Sequence, residues 1–330
     1  MNAQHSQPYG SSRLATLAAR APGALRWVVD FATCDWLVFV YLINLNLAAF
    51  LAKDHPLRTH AQIELGGLLG FFLIALVLAR GIRVRFWGAF VHRAALICAG
   101  SGSYLTFYAF LPLVNPGALD HQLYHLDLAL FGVEPAMFFD RFVNPVTTEW
   151  FSFFYFGYFF LLSAYIFPLL FFGKDEKLLT HFTLSMLIVV CIGQTLYMIV
   201  PGFGPYAAFP ELFHNPLQGG MWWHIVDTAV RNNGAHKDIF PSLHTALPLV
   251  VWLFTFSRRK QAPFRYVWLP LGFIVVNIIL ATMFLRWHYV IDVVAGASLA
   301  LCAHFIALRV AEWEPKRRQA LGLAPAWPQF

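Results

Sequence analysis

The chain of 330 residues reads as an all-α, polytopic membrane helix bundle of about eight spans. Three observations carry that reading. The residues are 59% hydrophobic and only 12% charged, where a soluble domain carries about 25% charged residues. The apolar residues fall in continuous runs rather than in alternation, which disfavours a transmembrane β-barrel. Aromatic residues make up 17%, with 34 Phe, a share that suits lipid-facing helices and interfacial belts.

The elements follow in order. Residues 1–34 form an N-terminal tail with no acid before Asp30 and with Arg13, Arg20 and Arg26. It lacks the apolar segment of a secretory signal, so a cytoplasmic tail is expected, with an organelle transit segment as the alternative. Apolar runs at 35–52, 64–80, 94–114, 150–172, 179–200, 242–257, 266–285 and 289–311 are each expected to cross the bilayer. Asn44 and Asn46 interrupt the first. Residues 35–114 thus hold the N-terminal spans, 115–311 a second membrane domain and 312–330 a C-terminal tail.

Charge placement orients the bundle. An even number of spans puts both termini on one side. That side carries 17 of the 23 Lys and Arg; the other carries only Lys53, Arg58, Arg141, Arg231, Lys237 and Arg286. The positive-inside rule then makes both termini cytoplasmic. The net charge of +6 reports topology, and no nucleic-acid partner is expected. Cys34, Cys98, Cys191 and Cys302 sit in or beside apolar runs without a CxxC. They read as small apolar residues and give no disulfide framework.

Two long connections lie on the opposite, extracytoplasmic or lumenal side. Residues 115–149 interleave Asp120, Asp127, Glu134, Asp140 and Glu149 with Leu and Phe. This pattern predicts an interfacial amphipathic helix or helix pair. Residues 201–241 are rich in Gly and Pro and hold Trp222, Trp223, His214, His224 and His236. They read as an ordered loop over the mouth of the bundle, with the tryptophans at the headgroup level.

Chemistry concentrates in two strings. Pro241-Ser242-Leu243-His244 opens the sixth run, and Arg286-Trp287-His288-Tyr289-Val290-Ile291-Asp292 opens the eighth. Ionisable groups in membrane segments are rare unless functional. Both strings face the extracytoplasmic side in this topology. Asp292 lies one helical turn from His288, so it can accept from one ring nitrogen and fix the tautomer. His288 then reads as a nucleophile toward phosphorus. His244 reads as the acid that protonates the leaving oxygen and the base that deprotonates the incoming hydroxyl. Ser242 offers a hydroxyl and an N–H at a helix start; Arg286 and Lys237 offer charge to an anionic substrate. The arrangement requires no cofactor. The spacing of His214, His224 and His236 matches no usual ligand pattern, and no metal is expected. His121 and His125, at i and i+4, read as wet residues of the interfacial helix.

Phe240-Pro-Ser-Leu-His-Thr245, followed by His288-Tyr-Val-Ile-Asp-Val-Val-Ala-Gly296, resembles the type-2 phosphatidic acid phosphatase superfamily, and most closely its inositol phosphorylceramide synthase (aureobasidin-resistance) branch. Leu126-Asp127-x-x-Leu130-Phe131-Gly132 looks like a further family element, so the resemblance covers roughly 120–310. It implies a six-helix catalytic core. It also implies His288 as nucleophile, Asp292 as its orienting carboxylate, His244 as acid and base, and Ser242 on phosphate oxygens. The superfamily's upstream Lys-x6-Arg-Pro is absent: no Lys or Arg lies between Lys177 and Arg231, and Gly204-Pro205-Tyr206 stands in that place. Thr282 stands where an Arg would precede the nucleophile, as in the synthase branch. Arg286, Lys237 and Arg231, in that order, are the expected replacements at the phosphate, with Tyr206 beside them. The expected activity moves a phosphorylated headgroup from a phospholipid to a lipid hydroxyl. A lipid phosphate phosphatase is the close alternative, and a non-catalytic lipid-phosphate carrier the more distant one.

Overall fold

The computed structural model describes residues 30–82, 84–232 and 237–327. The Arg-bearing tail before Asp30, Arg83 and His236 lie outside them. The described residues form thirteen α-helices and no strand. Six are long and apolar enough to cross a membrane, which makes this an integral membrane protein: α1 (Thr33–Leu51), α2 (Arg58–Gly81), α7 (Pro145–Phe172), α8 (Glu176–Ile199), α12 (Phe264–Phe284) and α13 (Val290–Ala320).

Two of the eight expected spans are less simple. The third is broken into α3 (Arg85–Leu105) and α4 (Phe107–Val114), which meet at about 60°. The break follows Gly100-Ser101-Gly102-Ser103, a weak helix-forming stretch. The Thr106 hydroxyl returns to the Ser103 carbonyl at 2.8 Å, a back-bond that bends helices. The sixth is α11 (Leu243–Ser257), only 15 residues long, or about 22 Å at 1.5 Å per residue. It is surrounded by protein rather than lipid. Nine of its residues are buried, and it packs on α7, α8, α12 and α13.

The N-terminal helices join this core through polar contacts. Tyr41 on α1 donates to Gln194 Oε1 on α8 at 2.5 Å and meets Ser103 Oγ on α3 at 3.0 Å. Asn46, which interrupts the first apolar run, donates to the Leu42 and Leu65 carbonyls and so ties α1 to α2. At one end of the bundle Asp35 and His92 pair at 2.7 Å.

The connection before α7 is a helix pair, α5 (Asp120–Phe131) and α6 (Pro135–Asp140). Its polarity is the reverse of a wet amphipathic helix. Asp120 and Asp127 are buried, while Leu126, Leu130 and Phe131 are exposed. The acids face inward because backbone N–H groups need them there. Asp127 accepts from Val290 and Ile291, capping the first turn of α13. Asp120 accepts from Phe203 and Gly204 and from the Tyr289 hydroxyl. His121 and His125 remain exposed. The connection after α8 carries the one-turn α9 (Pro205–Ala208) and α10 (Met221–Asn232), which packs on α7. Glu149 on α7 accepts from the N–H groups of Gly220, Trp222 and Trp223 and fastens the start of α10. Trp223 is buried with Tyr155, Phe284 and Trp287 rather than standing at a surface.

Candidate active site

Four backbone segments converge at one end of the bundle. The N–H of Ser242 donates to the Asp292 carbonyl at 3.0 Å, joining the two sequence strings directly. The N–H of Tyr206 donates to the Arg286 carbonyl at 3.0 Å, and that of Gly202 to the Lys237 carbonyl at 3.3 Å. Two glycines make these approaches possible. A Cβ on Gly296 would stand 2.4 Å from the Ser242 carbonyl oxygen. Gly204 has φ +86, and its Cβ would stand 2.4 Å from the Trp287 carbonyl oxygen. An L side chain is excluded at the first by space, and at the second by both space and conformation.

His288 lies in the loop between α12 and α13. Its backbone N–H, like that of Trp287, is held by the Thr282 carbonyl. Its Nδ1 faces Asp292 Oδ2 at 3.3 Å, and the same oxygen accepts the Tyr289 N–H at 3.0 Å. Nε2 is thereby the nitrogen left to react. Burial pushes the ring's pKa down to about 4, against the opposing pull of Asp238 and the Ile239 carbonyl. The imidazole is therefore neutral, as a nucleophile must be.

His244 lies on the first turn of α11. Its ring is stacked on Tyr155 at 4.4 Å and tilted against Tyr158 at 4.3 Å, with Phe159 edge-on at 6.4 Å. Its Nε2 has no protein hydrogen-bond partner among the described residues. Ser242 caps α11, its hydroxyl accepting from the Thr245 N–H at 3.3 Å. It is fully buried.

Both histidines line one cavity of about 810 Å³. Tyr206, Trp287, Asp238 and Tyr104 line it near them, and Asp238 accepts the Tyr104 hydroxyl at 2.5 Å. From there the cavity runs on between α3, α7 and α8, along mostly apolar side chains, to Arg93, Leu179 and Trp327.

The three expected cations are not gathered at the histidines. Arg286 has φ +67, a left-handed conformation that costs a non-glycine residue about 1–2 kcal/mol. Its guanidinium pairs with Asp140 at 2.6 Å, donates to the Asn215 carbonyl and lies over the Phe213 ring. Lys237 donates to the Pro116 and Gly117 carbonyls at 2.6 and 3.0 Å. Neither lines the cavity. Each instead fastens a loop whose carbonyls or carboxylate need a cation. Arg231 is exposed on α10 and pairs with Asp227 one turn away at 2.8 Å; that helix's Val226, Ala229 and Val230 line the cavity. Of the three, Arg231 is the exposed one, while Arg286 and Lys237 are buried. His214 and His224 contribute to no grouping of three ligand-type side chains among the described residues.

Sequence reading missed several residues here. Tyr155, Tyr158 and Phe159 share one face of α7 at i, i+3 and i+4, a spacing that was legible but lost in a run of Phe and Tyr. Asp238 lies six residues before His244, next to Lys237 in an otherwise loop-like stretch that gives it no pattern. Asp120 and Asp127 belong to the acid-rich connection read from the sequence, and their spacing of two helical turns places them on one face.

The family model described as the PAP2 superfamily matches residues 121–306. No curated protein matches the chain, and no solved structure does.

Proposed function

Because the chain belongs to the PAP2 superfamily, whose activities are of the lipid phosphatase and phosphotransferase type, we propose that it is a lipid phosphotransferase working through a phosphohistidine. The donor is a phospholipid and the acceptor a lipid hydroxyl, as in an inositol phosphorylceramide synthase. His288 Nε2 attacks phosphorus, and the donor's oxygen leaves with a proton from His244. The acceptor hydroxyl then gives its proton to His244 and attacks the same phosphorus; the P–N bond breaks and His288 returns neutral. Asp292 holds the ring's other nitrogen throughout and stabilises the positive charge that develops. Arg231, exposed on α10 beside the cavity-lining Val230, meets the phosphate's charge, Ser242 holds the start of α11, and Tyr206 bounds the headgroup. Orthovanadate, a mimic of pentavalent phosphorus, is an inhibitor on this reading, and EDTA has no effect on the rate.

The observation that carries this reading is that His244 and His288 open into a cavity that continues as a long apolar space. The reacting phosphoester and a hydrocarbon chain are thus accommodated together. The phosphatase alternative differs only in admitting water as acceptor. The active site is assigned to the extracytoplasmic or lumenal leaflet, with both termini cytoplasmic. Residues 35–114 serve as accessory spans and 115–311 as the catalytic domain. The test is purified protein given a phospholipid labelled in its headgroup phosphate, with and without a long-chain alcohol. Label moving to the alcohol supports transfer. Release of water-soluble phosphate, unchanged by the alcohol, supports the phosphatase. No turnover with either, alongside binding, leaves a carrier.

A further inference from the structure

We propose that Trp327, in the C-terminal tail, is the floor of the substrate-chain site and sets the longest hydrocarbon chain the enzyme accepts. This rests on the reading of the cavity as a lipid site. The tail is built to put Trp327 there. α13 ends at Ala320, and Gly322 at φ +64 turns the chain back. Arg318 donates to the Ala324 carbonyl at 2.6 Å, and the Ala326 N–H donates to Glu176 at 2.9 Å. The Trp327 indole then enters between α3 and α8, where its Nε1 donates to Thr180 Oγ1 at 2.7 Å. It is 1% exposed.

A buried Trp with a satisfied N–H is a stable structural element, but this one also lines the cavity at the end remote from the histidines. The α8 residues on the cavity wall run from Tyr197 at the site end to Leu179 beside Trp327. From Leu179 to Tyr197 the helix rises about 27 Å at 1.5 Å per residue. That is close to the roughly 30 Å thickness of a bilayer's hydrocarbon core, and far more than one leaflet. Lipid phosphates with long chains are therefore the class of substrate that fills it. A chain that ends before the floor leaves apolar wall uncovered; one that exceeds it meets the indole. Each methylene that fits strengthens binding about fourfold, and the gain stops at Trp327.

The test uses the full-length protein in detergent with phospholipids differing only in chain length and a fixed long-chain alcohol as acceptor, and reads kcat/KM for each. The parent's kcat/KM should rise with length and then fall at least tenfold past a cutoff. Trp327→Ala should raise the ratio of the longest to the shortest substrate at least tenfold. Thr183→Phe, one turn above the floor on the α8 wall, should lower the cutoff. A lipid phosphate with a diazirine at the chain's end should crosslink near Trp327, Arg93 or Leu179 in the parent, whether or not it turns over. Equal length profiles in the parent and both variants, or crosslinks only on the outer, lipid-facing surface, would overturn the floor. Turnover with such a flat profile leaves the phosphotransfer reading standing. Crosslinks at the floor without any turnover of phospholipids or lipid phosphates, with or without a long-chain alcohol, overturn the phosphotransfer reading and keep the chain site.

Discussion

At the scale of single residues, the site depends on protonation and on where the buried charges find partners. Burial favours the neutral imidazole of His288 and lowers its pKa to about 4. Sign follows directly: the reactive form persists as pH falls from 7 to 5 and is lost only near pH 4. An unperturbed imidazole, with a pKa of about 6.5, would lose about thirtyfold of its neutral form by pH 5. Single-turnover labelling of the protein at pH 5 should therefore stay within about threefold of that at pH 7. An acid limb between pH 6 and 7 would contradict it. A second prediction separates the two uses of Arg286. If the Asp140 pair is a clamp, breaking it from either side strands a buried charge and costs about 3–5 kcal/mol. Arg286→Ala and Asp140→Ala should then lower the thermal midpoint alike. A stable Arg286→Ala protein that has lost turnover would return Arg286 to the phosphate. The histidines and Asp292 were legible because ionisable groups are conspicuous in apolar runs. The fate of Arg286 and Lys237 was not, since their partners Asp140, Pro116 and Gly117 are remote in sequence. Tyr155 and Tyr158 stand in a run of Phe and Tyr where no ionisable group marks them.

At the scale of elements, the site is held by close backbone contact between the starts of α11 and α13. Gly296 is the residue that permits it. Gly296→Ala should force the Ser242 carbonyl away, cost about 1–3 kcal/mol as overpacking does, and lower turnover about a hundredfold, as a shift of about 1 Å in a reacting group implies. Gly70→Ala, where a Cβ meets nothing within 4 Å, is the matched control and should change neither quantity. Equal thermal midpoints and rates in the two variants would remove the close approach from the account. Helix existence was legible in composition and run length. The inverted polarity of α5 was not: alternating acids and leucines have the same pattern whether the acids face water or cap another helix. The break at Thr106 was signalled only by a Gly-Ser stretch inside an apolar run.

At the scale of the whole molecule, the eight apolar runs correspond to helical segments, because continuous hydrophobicity is what a bilayer demands of a helix. The exception in length, α11, is instructive: a helix wrapped by other helices need not match the bilayer. Its Leu243, His244 and Leu247 line the cavity together with the α3, α7 and α8 walls. The distribution of Lys and Arg makes a prediction for the whole bundle. In a protein whose four cysteines are replaced, His125→Cys and His224→Cys should react with an impermeant thiol reagent from outside the cell. Lys260→Cys should react only after the membrane is opened. The opposite pattern would place the active site at the cytoplasmic leaflet.

The claim on which the rest depends is that His288 carries the transferred phosphorus. The most direct measurement is to quench the purified protein with a headgroup-phosphate-labelled phospholipid and map the label by mass spectrometry. Label bonded to His288 is expected. It should be absent in His288→Ala, with turnover abolished. His244→Ala should slow turnover by about 10²–10⁴-fold, as loss of a general acid and base implies. Full turnover in His288→Ala, or label on another residue, would contradict the account.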